Sequence, residues 1–66
     1  MPLPLFTFER IARKAGIKRI SHDAVEELRD IIEEYGEEIA RKAVRFATHA
    51  NRLTVLKRDI KLAVED

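Results

Sequence analysis

Apolar residues recur at helical spacing in three separate segments of the chain. The first segment is short, and its four apolar positions at i, i+3, i+4 and i+7 form one helix face: Phe8, Ile11, Ala12 and Ala15. Thr7 stands just before this stripe and is a candidate N-cap, because its hydroxyl can accept a hydrogen bond from a free backbone N–H. Gly16 follows the stripe and suits the left-handed residue that ends a helix.

The second segment is much longer. Ser21 is a candidate N-cap, and Asp23 lies in the first turn, where the helix dipole favours an acidic side chain. From Ala24 to Ala50, apolar residues follow one another at spacings of three and four without a break. This pattern predicts a helix of about 29 residues, roughly 43 Å long at 1.5 Å per residue. Asn51 can end it in the left-handed conformation.

A third stripe, from Leu56 to Val64, predicts a last short helix after a connector at residues 52–55. A chain of 66 residues allows one domain at most, so we expect a single domain over residues 1–66. The predicted fold class is all-α, in the order short helix, long helix, short helix.

The long helix needs more cover than its own chain can supply. Two short helices leave much of a broad apolar stripe in contact with water, as a patch larger than soluble monomers usually expose. A second copy crossing the first would bury that stripe, so the sequence predicts a homodimer. Its core is expected at six positions: Leu28, Ile31, Ile32, Tyr35, Ile39 and Ala43.

The formal net charge of +1 hides three blocks of alternating sign. Residues 1–19 sum to +4, residues 20–40 to −7 and residues 41–61 to +6. Such blocks indicate surfaces with different partners, although solvated helix faces are the ordinary alternative. The chain has no Gln and one Asn, which resembles the residue usage of hyperthermophile (thermophile) proteins.

The composition excludes several classes of site. There is no Cys, and His22 and His49 stand too far apart for a convincing zinc site. We find no nucleophile with a base partner and no Gly-rich phosphate loop, so we expect no enzyme, no cofactor, no metal and no small-molecule substrate. We also find no apolar run long enough to span a membrane and no signal-peptide pattern, which favours a cytoplasmic protein.

Several short motifs occur together at fixed spacing. Arg52-x-Thr54 is followed by Asp59-Ile60 and preceded by Ala47-x-His49-Ala50. Four more motifs lie in the N-terminal and central parts: Leu3-Pro4, Arg10-Ile11 with Ala15-Gly16, Arg19-x-Ser21-x-x-Ala24, and Glu33-Glu34 with Gly36. Joined over nearly the whole chain without an insertion, these motifs resemble the archaeal histones, the minimal histone-fold proteins.

The resemblance implies a histone fold, in which two chains clasp in a handshake homodimer and dimers join into a tetramer or a larger assembly. It also implies binding and compaction of double-stranded DNA by a chromatin protein associated with the nucleoid. In the histone octamer, Arg side chains enter the minor groove where it faces inward, and no base is read. Four positions here match DNA-contact positions of the family: Arg10, Arg19, Arg52 and Thr54. Charge and location add four candidates: Arg13, Lys14, Lys18 and Lys57.

Structural alternatives accompany these roles. In the family, Arg and Asp at the positions of Arg52 and Asp59 form a buried salt bridge that fixes the second connector, so Arg52 is expected to be structural first and DNA-facing second. Thr54 either contacts DNA or caps the last helix. His49 is either a surface residue or part of a dimer–dimer interface. The resemblance places that interface at Phe46, His49, Asp59 and Leu62.

The chain departs from the family at the second connector. Leu53 and Leu56 stand where many archaeal histones have Lys, and Thr48 stands where several have Arg. Fewer cations weaken the hold on DNA, and two added apolar side chains need a cover. The leading hypothesis is sequence-tolerant DNA binding and compaction. The alternative is a variant histone, or a histone-fold interaction module, whose main partner is another protein.

Overall fold

The computed structural model describes residues 4–65, and they form three helices. Helix α1 is Leu5–Lys14, α2 is His22–His49 and α3 is Lys57–Glu65. No strand is present in this part of the chain. The all-α order of short, long and short helix confirms the prediction from the sequence. Leu3, which contributes to the family resemblance, lies outside the described residues.

The start of α1 differs from the prediction. Its N-cap is Pro4, which makes no side-chain capping hydrogen bond, and the helix begins at Leu5. Thr7 lies inside the first turn, where its N–H donates to the carbonyl of Pro4 at 3.2 Å. The predicted Thr7 cap is therefore wrong. Proline has no N–H to leave unpaired, but its carbonyl still accepts the first helical hydrogen bond, so a helix can start directly after it.

The two ends of α2 agree with the sequence pattern. Ser21 Oγ accepts a hydrogen bond from the N–H of Ala24 at 3.3 Å and donates one to Asp23 Oδ1 at 2.6 Å. Accepting the hydroxyl hydrogen bond is the main reason that the pKa of the Asp23 carboxyl is lowered. At the other end, Asn51 has a φ of 59°, and this left-handed residue ends the helix.

The chain divides into two compact units, of which the first ends at Glu33 and the second begins at Glu34. The first unit buries Phe8 and Ala12 of α1 together with Val25 of α2. Phe8 and Val25 are among the largest fully buried side chains of the described residues. The core of this unit is therefore apolar, and burial of aromatic and β-branched side chains stabilises it.

The second unit has a core of a different kind. It buries Ala43 and Ala47 of α2, Ala63 of α3 and one acidic residue, Asp59, which is 1% exposed. An alanine side chain removes little apolar area from water. The second unit therefore depends more on how the Asp59 carboxylate is paired.

Most of the predicted dimer-core positions are incompletely covered by their own chain. Ile31 and Tyr35 are the most open, at 54% exposure each. Three others are half-buried, namely Leu28, Ile32 and Ile39. Ala43 differs, because its side chain is fully buried in the core of the second unit. Five of the six predicted positions thus retain apolar surface that a partner could cover.

Candidate nucleic-acid interface

The first candidate surface lies in the first unit, where the chain leaves α1 for the connector at residues 15–21. The N–H of Gly16 donates to the carbonyl of Arg13 at 3.0 Å, and the N–H of Ile17 donates to the carbonyl of Ala12 at 3.0 Å. These two hydrogen bonds are the Schellman motif, which ends a helix through a left-handed residue. Gly16 provides that residue, with a φ of 98°, as the sequence predicts.

Five cationic side chains follow α1 and this first connector. All five are exposed: Arg10, Arg13, Lys14, Lys18 and Arg19. Arg13 lies 3.5 Å from Glu9, and both side chains are largely exposed, so this ion pair is weak. Within residues 4–65, the other four form no salt bridge and no side-chain hydrogen bond. Exposed, unpaired guanidinium and ammonium groups are suited to bind phosphate oxygens.

The second candidate surface is the connector at residues 50–56, in the second unit, and it begins with the same motif. The N–H of Asn51 donates to the carbonyl of Thr48 at 2.9 Å, and the N–H of Arg52 donates to the carbonyl of Ala47 at 2.9 Å. Asn51 takes the left-handed place that Gly16 holds in the first connector. The two connectors therefore start alike, although their sequences differ.

The second connector is then fixed by an ion pair. Arg52 Nη1 donates to Asp59 Oδ2 at 2.7 Å, and Arg52 Nη2 donates to Asp59 Oδ1 at 2.9 Å. Two parallel hydrogen bonds of this kind are the strongest arginine–carboxylate geometry. Arg52 Nη1 also donates to the carbonyl of Thr54 at 3.0 Å. The structure thus brings Arg52 and Asp59 together, and it occupies the arginine within its own chain.

Asp59 has a second role at the start of α3. Its Oδ2 accepts the N–H of Leu56, the residue just before the helix, at 2.7 Å. This is the acidic half of a capping box, in which the third helical residue satisfies the N-cap N–H. Sequence reasoning missed this role, although an acid at the third helical position was the available signal. The alternative that Thr54 caps α3 is therefore wrong, and its contact with DNA stays a prediction.

Electrostatics follow from this geometry. Hydrogen bonding from the Arg52 guanidinium, followed by that from the N–H of Leu56, lowers the pKa of Asp59 to about 2. The same hydrogen bond to Asp59 raises the pKa of Arg52. Arg52 Nε is buried and has no hydrogen-bond partner among the described residues. With both Nη atoms turned to Asp59, little of this guanidinium is free for a phosphate.

The predicted dimer–dimer interface lies on the end of α2 and on α3. An open groove of about 480 Å³ runs beside His49, lined by Val44, Arg45, Thr48, His49 and Asn51. Phe46 is half-buried and Leu62 is 47% exposed. Asp59, the fourth predicted member, is buried and already accepts hydrogen bonds from Arg52 and Leu56. The interface itself stays a prediction.

Residues 4–65 offer little for two other classes of site. This stretch has no group of three or more His, Asp or Glu side chains placed to hold a metal ion. It also has no helix whose length and hydropathy would suit a membrane span. The cationic surfaces are therefore the most informative candidate sites on the described part of the chain.

Known proteins similar to this chain fall into one group. The family model for histone-like transcription factors (CBF/NF-Y) and archaeal histones matches residues 1–64. One of the two named subunits of the archaeal histone HAN1 of Thermococcus zilligii, the "A" chain, is 46% identical over 63 residues, which cover 96% of this chain and 94% of that protein. The probable archaeal histone 3 of Methanocaldococcus jannaschii is 44% identical, over 94% of this chain and 92% of its own length. A histone H4 of Entamoeba histolytica is 34% identical over 85% of this chain and 48% of that protein.

Proposed function

The chain belongs to the family of histone-like transcription factors (CBF/NF-Y) and archaeal histones, and from this membership we propose that it binds double-stranded DNA and compacts it as a chromatin protein. One observation on the chain itself supports the proposal most directly. Four exposed cations of α1 and the first connector have no partner among the described residues: Arg10, Lys14, Lys18 and Arg19.

These cations suit a sequence-tolerant contact. DNA presents its phosphates on the outside of the duplex, and each phosphate neutralised by Lys or Arg releases condensed counterions. Contacts of this kind fix position and orientation but contain no information about the base sequence. The cations of the first unit therefore supply affinity, and we expect little discrimination between duplexes of different sequence.

The second connector contributes in another way. Arg52 positions the connector through Asp59, and Thr54 and Lys57 present an exposed hydroxyl and ammonium on either side of the start of α3. Arg13, paired weakly with Glu9, adds a fifth cation to the first unit. In this assignment Arg52 is a positioning residue, while the free cations of the first unit neutralise phosphates.

A salt titration tests the DNA-binding role. The affinity for two duplexes of equal length and unrelated sequence should be similar, and log K should fall linearly with log salt, by about 0.9 for each phosphate neutralised. A Lys14→Gln/Lys18→Gln double variant should flatten this slope. Arg41→Gln is the matched control, because Arg41 is exposed but pairs with Glu37 at 3.6 Å. Strong preference for one sequence, or binding that ignores salt, would contradict the proposal.

We also propose that the functional form is a homodimer that assembles further. Ile31 of the first unit and Tyr35 of the second are each 54% exposed, although both lie on the apolar stripe of α2. Leaving such side chains in water is unfavourable, and a second copy of the same stripe would cover them. This arrangement is the handshake that the family resemblance implies.

Sedimentation at micromolar concentration tests the assembly. The chain should sediment as two protomers or a multiple of two, and Ile31→Asp should abolish assembly and folding together, because it places an unpaired charge in the interface. Glu27→Ala is the matched control on the same helix, since Glu27 is exposed and belongs to no ion pair among the described residues. A stable, folded monomer would overturn this proposal.

The second candidate function is a protein-interaction module, and the open leucine of the second connector favours it. Leu53 is fully exposed and Leu56 partly so. The HAN1 relative from Thermococcus zilligii is named as one subunit of its histone, so pairing with a different histone-fold chain belongs to this candidate. Mixing the purified chain with DNA and measuring the mass of the complex distinguishes the two candidates, because only the first requires DNA to be retained.

A further inference from the structure

We propose that Leu53 is an apolar DNA contact that enters the minor groove from the second connector. This inference rests on the proposed DNA-binding function. Leu53 is 105% exposed, as open as in an extended peptide, whereas the next most exposed large apolar side chain of the described residues, Phe6, reaches 64%. No packing within the chain explains a leucine at this position.

The backbone around Leu53 is closed and held. The side chain of Arg52 reaches over residue 53 and donates to the carbonyl of Thr54 at 3.0 Å. The same guanidinium is fixed by its two hydrogen bonds to the buried Asp59. Leu53 is therefore the tip of a small loop whose two flanking residues are joined to each other. A preformed loop loses little conformational entropy when its tip is bound, so even one apolar side chain can contribute measurably to affinity.

The surroundings of the tip favour an anionic occupant. The first two turns of α3 present Lys57, Arg58 and Lys61, which are exposed and form no salt bridge within residues 4–65. The nearby carboxylate of Asp59 is already matched by Arg52. A second copy of the chain would bring the same cations to the contact, and like charges oppose such pairing. Duplex DNA instead brings phosphates, which the cations attract.

DNA also offers a suitable apolar surface. Leucine is one of the side chains that minor-groove proteins insert between base steps, where they partly unstack the bases and bend the duplex. The cations around Leu53 would hold the flanking phosphates while the tip enters the groove. The contact is apolar and reads no base edge, so it is compatible with sequence-tolerant binding. It would favour base steps that unstack easily, such as TA and CA.

Leu56 shares the same departure from the family but not the same geometry. It is 37% exposed, and its N–H is tied to Asp59 at 2.7 Å. It stands at the start of α3 and not at the tip of the loop. We therefore assign the groove contact to Leu53 alone.

Leu53→Ser tests the inference. The variant removes the apolar contact without changing charge, so the affinity for duplex DNA at fixed salt should fall about tenfold, while the slope of log K against log salt stays the same. The bend of a duplex labelled at both ends should decrease, as reported by energy transfer between the labels. The heat-capacity change of binding should become less negative, because less apolar surface is buried. Leu53→Met should restore most of each property.

Leu62→Ser is the matched control, because Leu62 is an exposed leucine on α3, outside the connector. It should leave the bend and the heat-capacity change unaltered, whatever it does to assembly. Preloading the duplex with a small minor-groove ligand should reduce the difference between the original chain and Leu53→Ser.

Each other outcome has a distinct meaning. If Leu53→Ser lowers the mass of the assembly and leaves DNA binding intact, the occupant is another protein chain and the inference is wrong. If nothing changes, the side chain is simply solvated and the inference is wrong again. A changed salt slope would mean that Leu53 acts through the neighbouring cations, which equally overturns an apolar groove contact. If the original chain binds no DNA at all, the proposed function itself fails, a result that is visible before any variant is made.

Discussion

The two connectors begin with the same turn and then differ in what holds them. Each leaves its helix through a Schellman motif, with Gly16 or Asn51 in the left-handed place. After the turn, Arg52 is bound by Asp59, whereas Arg19 has no such partner among residues 4–65. The same local geometry therefore supports two tasks: one arginine stabilises the fold, and the other stays free to bind phosphate.

Corresponding positions make the difference explicit. Directly after the left-handed residue stands Ile17 in the first connector and Arg52 in the second. The third residue of the next helix is Ala24 in α2 and Asp59 in α3. Both members of the ion pair are thus replaced by apolar residues in the first unit, where Ser21 caps the helix instead. The unit with the large apolar core manages without the ion pair, and the unit with the alanine core contains it.

Asp59→Asn should have the largest effect, because it removes the charge that pairs with Arg52 in the core of the second unit. Removing one partner of such a pair leaves the other without compensation. We expect the thermal unfolding midpoint to fall further than for any other variant considered below, as followed by circular dichroism. Asp23→Asn is the counterpart in the first unit and should cost much less, since Asp23 is exposed. Equal losses from the two variants would refute the contrast between the units.

Acid should affect the same ion pair. The pKa of Asp59 lies at about 2 in the folded chain, below its ordinary value of 3.8. A lowered folded-state pKa means that the carboxylate stabilises the fold fully above the ordinary value, and that this contribution is lost as the pH falls towards 2. Urea unfolding between these limits should therefore reveal a steeper loss for the original chain than for Asp59→Asn. Parallel curves would mean that other carboxylates dominate.

Substitutions at the two left-handed residues should have opposite signs. Gly16→Ala forces a Cβ onto a φ of 98°, and no atom stands within 4 Å of that Cβ, so the cost is one of backbone conformation, about 1 kcal/mol. That corresponds to roughly 4–8 °C in the unfolding midpoint of a domain of this size. Asn51→Gly should raise the midpoint slightly, because glycine is the preferred residue at this place. Thermal melts of both variants decide the matter.

The smallest effect on stability should come from Arg19→Gln, since exposed side chains rarely contribute more than about 0.5 kcal/mol. Its effect should instead appear in DNA binding, where the salt slope should drop by about one for each phosphate that is no longer neutralised. Arg52→Gln should behave in the opposite way, with a clear loss of stability and little change in slope. Titrations are best compared at a temperature where both variants are folded. If the two arginines changed the slope equally, they would not be divided by task.

Local features of this fold are accessible from the sequence. The apolar stripes, Ser21 as cap and the left-handed Gly16 and Asn51 all depend on neighbouring residues, so spacing and residue type suffice to predict them. The one clear failure, Thr7, arose because a cap can also be supplied by backbone alone, here by the carbonyl of Pro4.

Interactions between distant residues were less accessible. Arg52 and Asp59 are separated by a turn and a helix start, so no periodicity predicts their pairing, and only the family resemblance suggested it. The same holds for exposure: Leu53 and Leu56 look equivalent in the sequence, but the loop closed by Arg52 turns one of them fully outward. Residues such as Ile31 and Tyr35 depend on a second chain, which one sequence does not describe.

The turn at Asn51 also bears on chemical ageing at high temperature. Asn51 is the only residue of this chain with a side-chain amide, a group that hydrolyses most readily when the backbone nitrogen of the next residue attacks it to form a cyclic imide. That nitrogen belongs to Arg52, and its N–H is engaged with the carbonyl of Ala47 at 2.9 Å. While the turn is intact, the nitrogen cannot swing towards the amide carbon. The bond that ends α2 therefore also protects the chain's single deamidation site, and loss of that amide becomes a chemical record of how often the second connector opens.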